Sequence, residues 1–328
     1  MRGVLTKVFV FLGAFLVALA LIANFYAADQ VKRTPLDTDS VTRLEGKASV
    51  FDGKKMVDTP VKASSTTLAS SEDSTKDVVV FHNSSCLVKD TGDTPDCVSA
   101  ADPKNRLIAA STDVFAAHRR TGLAVNNFDG LPADAEEKSG LINKFPFDVE
   151  KKTYPFWDSY VGMPIDATFE GVEQLKGLET YKFTYLVEGG DIEIGGAPGE
   201  YDTEKTMWID PVTGAIQDQH QKIVQRMADG QEVIDLDFKF TEETVAANVK
   251  SAKESGDRLA LIGSTVPLVA GFLGLALLVA GLVLFLLGRR SRTDVRNDGF
   301  ADTRGDDYDA DVFGTDQSST RRTDLHGS

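Results

Sequence analysis

Residues 180–188 read TYKFTYLVE, and their side chains alternate. Tyr181, Phe183, Tyr185 and Val187 fall on one side, and Lys182, Thr184, Leu186 and Glu188 on the other. Successive side chains of an extended chain point to opposite faces, so a period of two with aromatic residues predicts a half-buried strand. Residues 233–240, VIDLDFKF, repeat the rhythm, with Ile234, Leu236, Phe238 and Phe240 against Asp235, Asp237 and Lys239. Residues 77–83, DVVVFHN, form a shorter apolar run. Residues 43–54, RLEGKASVFDGK, read as a strand ending at the turn dipeptide Asp52-Gly53. The expected class is mainly β, an antiparallel domain.

The turns support this. In residues 206–218, TMWIDPVTGAIQD, Met207-Trp208-Ile209 closes a strand and Ala215-Ile216-Gln217 opens the next. Between them Asp210 can accept backbone hydrogen bonds, Pro211 fixes φ and Gly214 supplies a positive φ. Residues 113–126, DVFAAHRRTGLAVN, show the same order, and His118–Gly122 aligns on Asp210–Gly214 at an offset of 92 residues. This pattern is compatible with an internally duplicated, curved sheet. Two unrelated hairpins sharing a good turn remain the alternative.

Between the two turns, Phe145, Phe147, Tyr154, Phe156, Trp157 and Tyr160 fall within 16 residues, interrupted by Pro146 and Pro155 and followed by Pro164. The prolines argue against a helix. Such an aromatic loop either plugs the end of a sheet core or lines an apolar pocket. On the second reading, Tyr154, Phe156, Trp157, Tyr160 and Met163 contact acyl chains, and Trp208 faces either the cavity or the core.

Two uncharged segments flank this region. Residues 8–26 follow Arg2 and Lys7, and residues 259–288 precede Arg289, Arg290 and Arg292. Each is long enough to span a bilayer, which takes roughly 20 residues. The basic flanks put both ends on the cytoplasmic side and everything between on the far side. A cleaved signal peptide is the other reading of the first segment. The implied divisions are a cytoplasmic N-terminus (1–7), a first span (8–26), an outer β domain (27–240), a juxtamembrane helix (241–258), a second span (259–288) and a disordered cytoplasmic tail (289–328). Thr241 suits an N-cap and Phe240 can staple onto Val245. Gly256 is the candidate hinge before the second span. Gly13, Ala270, Gly274 and Gly281 are small enough to let two membrane helices approach closely. In the tail, Ser318, Ser319 and Thr320 beside Arg321 are candidate phosphorylation sites.

Residues 27–258 hold 41 acidic and 26 basic side chains, and the whole chain carries −15. An acidic outer domain is a poor partner for nucleic acid, and its charge reads as solubility. Cys86 and Cys97 lie there, where an oxidising compartment permits a disulfide. The four histidines show no metal-ligand spacing. No nucleophile elbow, zincin, P-loop or dinucleotide motif occurs, so neither a catalytic residue nor a cofactor is expected. Asp202 with Glu204, or Asp235 with Asp237, would share a strand face, as acids do by chance in an acidic chain. Asn83-Ser84-Ser85 matches a glycosylation sequon.

Four stretches carry a resemblance: VKRTPLDTDSVTRLEG at 31–46, RRTG at 119–122, YPFWDSYVGMPIDATFEGVEQLKGLETYKF at 154–183 and WIDPVTG at 208–214. With the second span, they make the chain resemble the actinobacterial porin PorA family of membrane proteins over nearly all but the tail. The resemblance implies an inner-membrane protein of mycolate-bearing bacteria with a periplasmic domain. It implies binding of trehalose monomycolate, a glycolipid with long acyl chains, and partnership with an RND-type mycolate transporter or another inner-membrane protein. It also implies a part in polar growth and lipoglycan composition. It carries over no catalytic residue. Two functions follow as expectations: a lipid-binding accessory of glycolipid trafficking, or a non-binding scaffold or sensor.

Overall fold

The computed structural model describes residues 2–23 and 28–293. The tail beyond 293, with its candidate phosphorylation sites, lies outside them.

Eleven strands form one antiparallel sheet. The first half is β1 (Asp39–Phe51), β2 (Met56–Ser70), β3 (Val78–Lys89), β4 (Leu107–His118) and the two-residue β5 (Ala124–Val125). The second is β6 (Tyr154–Asp158), β7 (Met163–Leu175), β8 (Leu178–Ile194), β9 (Ala197–Ile209), β10 (Ile216–Met227) and β11 (Glu232–Phe240). Spatial order runs β5-β4-β3-β2-β1-β11-β10-β9-β8-β7-β6. Each half is an up-and-down meander laid out in the same direction, and β1 pairs with β11 from Leu44↔Phe240 to Val50↔Ile234 to join them. The tandem order places β4 and its turn in the first half where β9 and its turn stand in the second, as the offset of the two turns anticipated.

The sheet curls around an inward row that is largely apolar. Phe183 and Tyr185 of β8, Tyr201, Met207 and Ile209 of β9, Ile223 of β10, Leu236 of β11, Ala48 of β1 and Val61 of β2 pack into one cluster. The outward rows are polar: Arg43, Glu45 and Lys47 on β1, Asp235, Asp237 and Lys239 on β11, Glu200, Asp202 and Glu204 on β9.

A connecting strap, residues 140–149, brings the two edges of the sheet together at one end. Leu141 bridges Leu123 beside β5 and Phe156 of β6. Leu141 N donates to Pro155 O at 2.7 Å, Trp157 N to Leu141 O at 2.9 Å, and Ile142 N to Gly122 O at 3.0 Å. The aromatic segment expected to be a loop therefore contains a strand, β6. Pro155 is tolerated because β6 is the last strand of the sheet and an edge proline need not donate.

Residues 90–106 fold over the outer face of β1–β3. Cys86 is bonded to Cys97, with Cα atoms 5.6 Å apart. Arg43 Nε donates to Asp96 Oδ2 at 2.9 Å, and Arg106 chelates Asp102 through Nε and Nη2 at 3.0 and 2.7 Å.

After a short helix α2 (Ala28–Val31), the remaining helices are α1 (Arg2–Ile22), α3 (Glu242–Ala260) and α4 (Val266–Thr293). The side chain of Thr241 caps α3 by accepting from Thr244 N, and Phe240 meets Val245 and Val249 in a satellite core with Leu44. The break before the second span is not at Gly256, which lies inside α3. It is a π-helical turn at Leu261–Thr265, where the Ser264 hydroxyl bonds Ala260 O at 2.7 Å. That hydroxyl donates to a main-chain carbonyl one turn back, a local bond that a glycine could not make.

Two helical stretches, Gly3–Ile22 and Glu242–Leu287, contain windows long and apolar enough to cross a membrane. The chain separates into two compact units, one made of the residues up to Gly13 with those from Ala276 on, the other of Ala14–Leu275. Within the first, Gly281 is buried and a Cβ there would stand 2.8 Å from Val10 Cγ2. Gly13, in the same unit, is buried as well, and within the other unit Gly274 is buried and Ala270 half-buried. Small residues at such contacts permit close helix approach.

Candidate functional site

The interior of the curl is organised around Asp158, which is 3% exposed. Its Oδ2 accepts from Tyr185 Oη at 2.9 Å and Tyr201 Oη at 3.2 Å, and its Oδ1 from the backbone N–H groups of Tyr160 at 2.9 Å and Val161 at 3.3 Å. Four donors satisfy one buried carboxylate, which removes the cost of burying it and fixes the turn after β6. Burial, then the Asp158 charge, pushes the Tyr185 and Tyr201 hydroxyls above the usual phenol range, so both stay neutral donors.

Beside this node stands Lys205 of β9. Its Nζ lies 5.5 Å from the Phe156 ring centroid and 5.8 Å from that of Tyr185. The charge that acts on it is that of Asp158. Burial pulls its pKa down to about 8, against the opposing pull of Asp158. Lys144 in the strap is similar: its Nζ sits 3.7 Å from the Phe147 centroid, and burial lowers it to about 7 against Asp210. The inward row of β10 is polar where it faces this region, with Gln217, Gln219 and Gln221 all buried. Gln221 Nε2 donates to Thr203 Oγ1 at 3.1 Å.

The turn held by Asp158 forms one wall of an open cleft of about 450 Å³. Glu136, Ser159, Tyr160, Val161 and Gly162 line it with Asp191, Ile192 and Glu193 from the end of β8. The Tyr160 ring stacks on Tyr201 at 4.8 Å, which couples the cleft to the interior node, and Tyr160 remains 47% exposed.

The six aromatic and methionine side chains predicted to contact lipid do not form one surface. Tyr154 and Phe156 are 8% and 4% exposed and interlock with Phe145 and Phe183. Trp157, on the other face of β6, packs with Val79, Phe81, Phe115 and Ile142. Tyr160 reaches the cleft, and Met163, 52% exposed, opens β7. Trp208 faces neither cavity nor core: it lies on the outer side, its Nε1 donating to Glu173 Oε2 at 2.7 Å beneath Lys182. The buried neighbours Met207 and Ile209 carried this signal, because alternation places Trp208 on the opposite face. The sequon is spent differently as well, since Asn83 Nδ2 donates to Ser65 Oγ, Thr66 O and Thr67 Oγ1. Of the acid pairs, Asp202 is held by Arg226 and Asp237 by His220 on the outer face. No metal-holding cluster occurs among the described residues.

The family described as Porin PorA matches residues 5–283, which take in the whole sheet, the strap and most of both apolar helices. The chain belongs to the Porin PorA family. A relative named Porin PorA, from Corynebacterium resistens, is 21% identical over 89% of this chain and 98% of its own length. PorA membership and the apolar helices make this a membrane protein of the cell envelope.

Proposed function

We propose that this PorA-family protein is a non-enzymatic, membrane-anchored accessory of envelope glycolipid trafficking that holds a glycolipid by its headgroup. The observation that carries the reading is the Tyr160 cleft. Its volume of about 450 Å³ suits a sugar headgroup. Tyr160 offers a ring face, and Glu136, Asp191 and Glu193 offer acceptors for hydroxyl donors. Long acyl chains find no room inside the curl, where Phe145, Phe183, Tyr201 and Met207 are 0% exposed. They would stay in the bilayer or in the partner. Trehalose monomycolate is the ligand the family resemblance suggests, and an RND-type mycolate transporter the partner. In this reading the chain crosses the inner membrane twice, with both termini cytoplasmic and the sheet periplasmic.

The family's name suggests a pore. A membrane barrel presents an apolar band outward, and a channel needs an open lumen. The charged outer rows of β1, β9 and β11 and the filled interior argue against both. A scaffold that binds no lipid is the second reading, favoured by the close helix contact at Gly281.

The test is titration of trehalose monomycolate into the full chain in nanodiscs, for parent and Tyr160→Ala. Binding by the parent, weakened about tenfold or more in the variant, is expected. Absence of binding by the parent would leave the scaffold, and equal binding by both would move the site elsewhere.

A further inference from the structure

The sheet has two bare edges away from the strap, and they differ. β6 covers only Met163–Ala167 of β7, so Thr168–Leu175 presents an edge beyond it. That edge is guarded: the register shifts between Phe169 and Gly171, Glu170 and Glu173 are on it, and Lys151 leans over Phe169 and Tyr181. Charges, bulges and covering side chains are how proteins keep an edge from recruiting another strand. On the other side, β5 covers only Ala116 and Ala117 of β4. After the irregularity near Leu107, residues 109–115, AASTDVF, pair with β3 alone. Ala109, Ala110, Ser111 and Thr112 are all exposed, so neither loop nor helix among the described residues shields them. The one charge in the stretch, Asp113, pairs with Lys138 Nζ at 3.4 Å, an ammonium it shares with Glu136. In a domain with a large acidic excess, this window carries one ion-paired carboxylate, and its residues 109–112 are uncharged and uncovered.

We propose that this edge of β4 pairs with the same edge of a second copy of the chain. Antiparallel pairing of a strand with itself requires a two-fold axis through one residue, and the side chains decide which. Centred on Ser111, the pairing sets Ser111 against Ser111, Ala110 against Thr112 and Ala109 against Asp113. Each pair is small, and no like charges oppose. Centred on Asp113, it would set carboxylate on carboxylate. The Ser111 register joins two eleven-stranded sheets across five residues per copy. So short a pairing is weak in free solution, and confinement of both copies to one membrane raises their effective concentration. The acidic charge of the two domains opposes approach, so added salt strengthens the pairing.

The experiment uses the full chain in nanodiscs sized for two copies and in dilute detergent. Ser111→Cys is on the face away from Cys86, which stands opposite Ala110, and both native cysteines are already bonded. Mild oxidation is expected to trap a covalent dimer through position 111, more completely at about 0.5 M than at about 0.05 M salt, where charges are less screened. Glu173→Cys, on the guarded edge, is expected to stay monomeric. Ser111→Lys, which sets ammonium against ammonium, is expected to reduce the dimer fraction at least fivefold by native mass spectrometry while circular dichroism is unchanged. A parent chain that is monomeric in both settings overturns the proposal and leaves the edge to a foreign extended peptide. A dimer indifferent to Ser111→Lys also overturns it, and places the contact elsewhere.

Discussion

Single residues decide where the strap sits. Gly122 and Gly214 have φ of +72° and +75°, and both press on the strap. A Cβ on Gly214 would stand 2.2 Å from the carbonyl oxygens of Phe145 and Pro146, and one on Gly122 would stand 2.7 Å from Lys144 O. Gly214→Ala therefore combines an unfavourable dihedral with a backbone collision. It is expected to cost more than about 2 kcal/mol, with a smaller loss for Gly122→Ala, as a shift in the urea midpoint of the full chain in detergent. Equal midpoints for parent and Gly214→Ala would mean that the strap yields. Lys205 makes the opposite prediction. Its folded pKa of about 8 is below the unfolded value, so burying it is costly at low pH, and the cost fades as pH rises from about 8 towards 10.5. Lys205→Met should exceed the parent in stability by about 1–3 kcal/mol at pH 7, with the gap closing above pH 8. An advantage that stays constant to pH 10 would show that the amine is not desolvated.

Much of each element was legible in the sequence, and the failures have local causes. Period two placed Phe183, Tyr185, Leu236 and Phe240 inward, because apolar and polar residues alternate there without interruption. The inward face of β10 was not legible: Gln217, Gln219 and Gln221 are buried, so the row reads as mixed polarity. β6 was hidden by Pro155, and the strap by the fact that Leu141 earns its place through backbone bonds to Gly122 and Pro155, which no side-chain pattern announces. The cleft was half visible. Tyr160 was on the candidate list, but Glu136, Asp191 and Glu193 come to it from distant segments. The loop over the outer face tests how elements depend on one another. Cys86 and Cys97 are separated by 11 residues, and a loop of that size contributes roughly 2–3 kcal/mol in the chain-entropy view. Reduction should lower the unfolding midpoint accordingly and raise amide exchange across residues 90–106. The strap, tied to the far side of the sheet, should exchange as before.

At the scale of the whole molecule, the arrangement of rows bears on the medium in which the sheet stands. A sheet that put charged rows towards lipid would lose several kcal/mol per side chain near the bilayer midplane. A sheet in water pays nothing for them and keeps its apolar row inside. In the proposed topology the apolar helices are the membrane-crossing parts, and the basic residues beside them set direction. The prediction that follows is topological. In a background with both native cysteines replaced by serine, two single-cysteine variants suffice: Ser328→Cys, beyond the second apolar helix, and Glu204→Cys, on the outer row of β9. In intact cells, a membrane-impermeant maleimide should label Glu204→Cys and spare Ser328→Cys until the membrane is opened. Labelling of both in intact cells would mean the second helix does not cross, and protection of both would put the sheet in the cytoplasm. Either outcome would remove the cleft from the side where envelope glycolipids are assembled, and with it the proposed headgroup role.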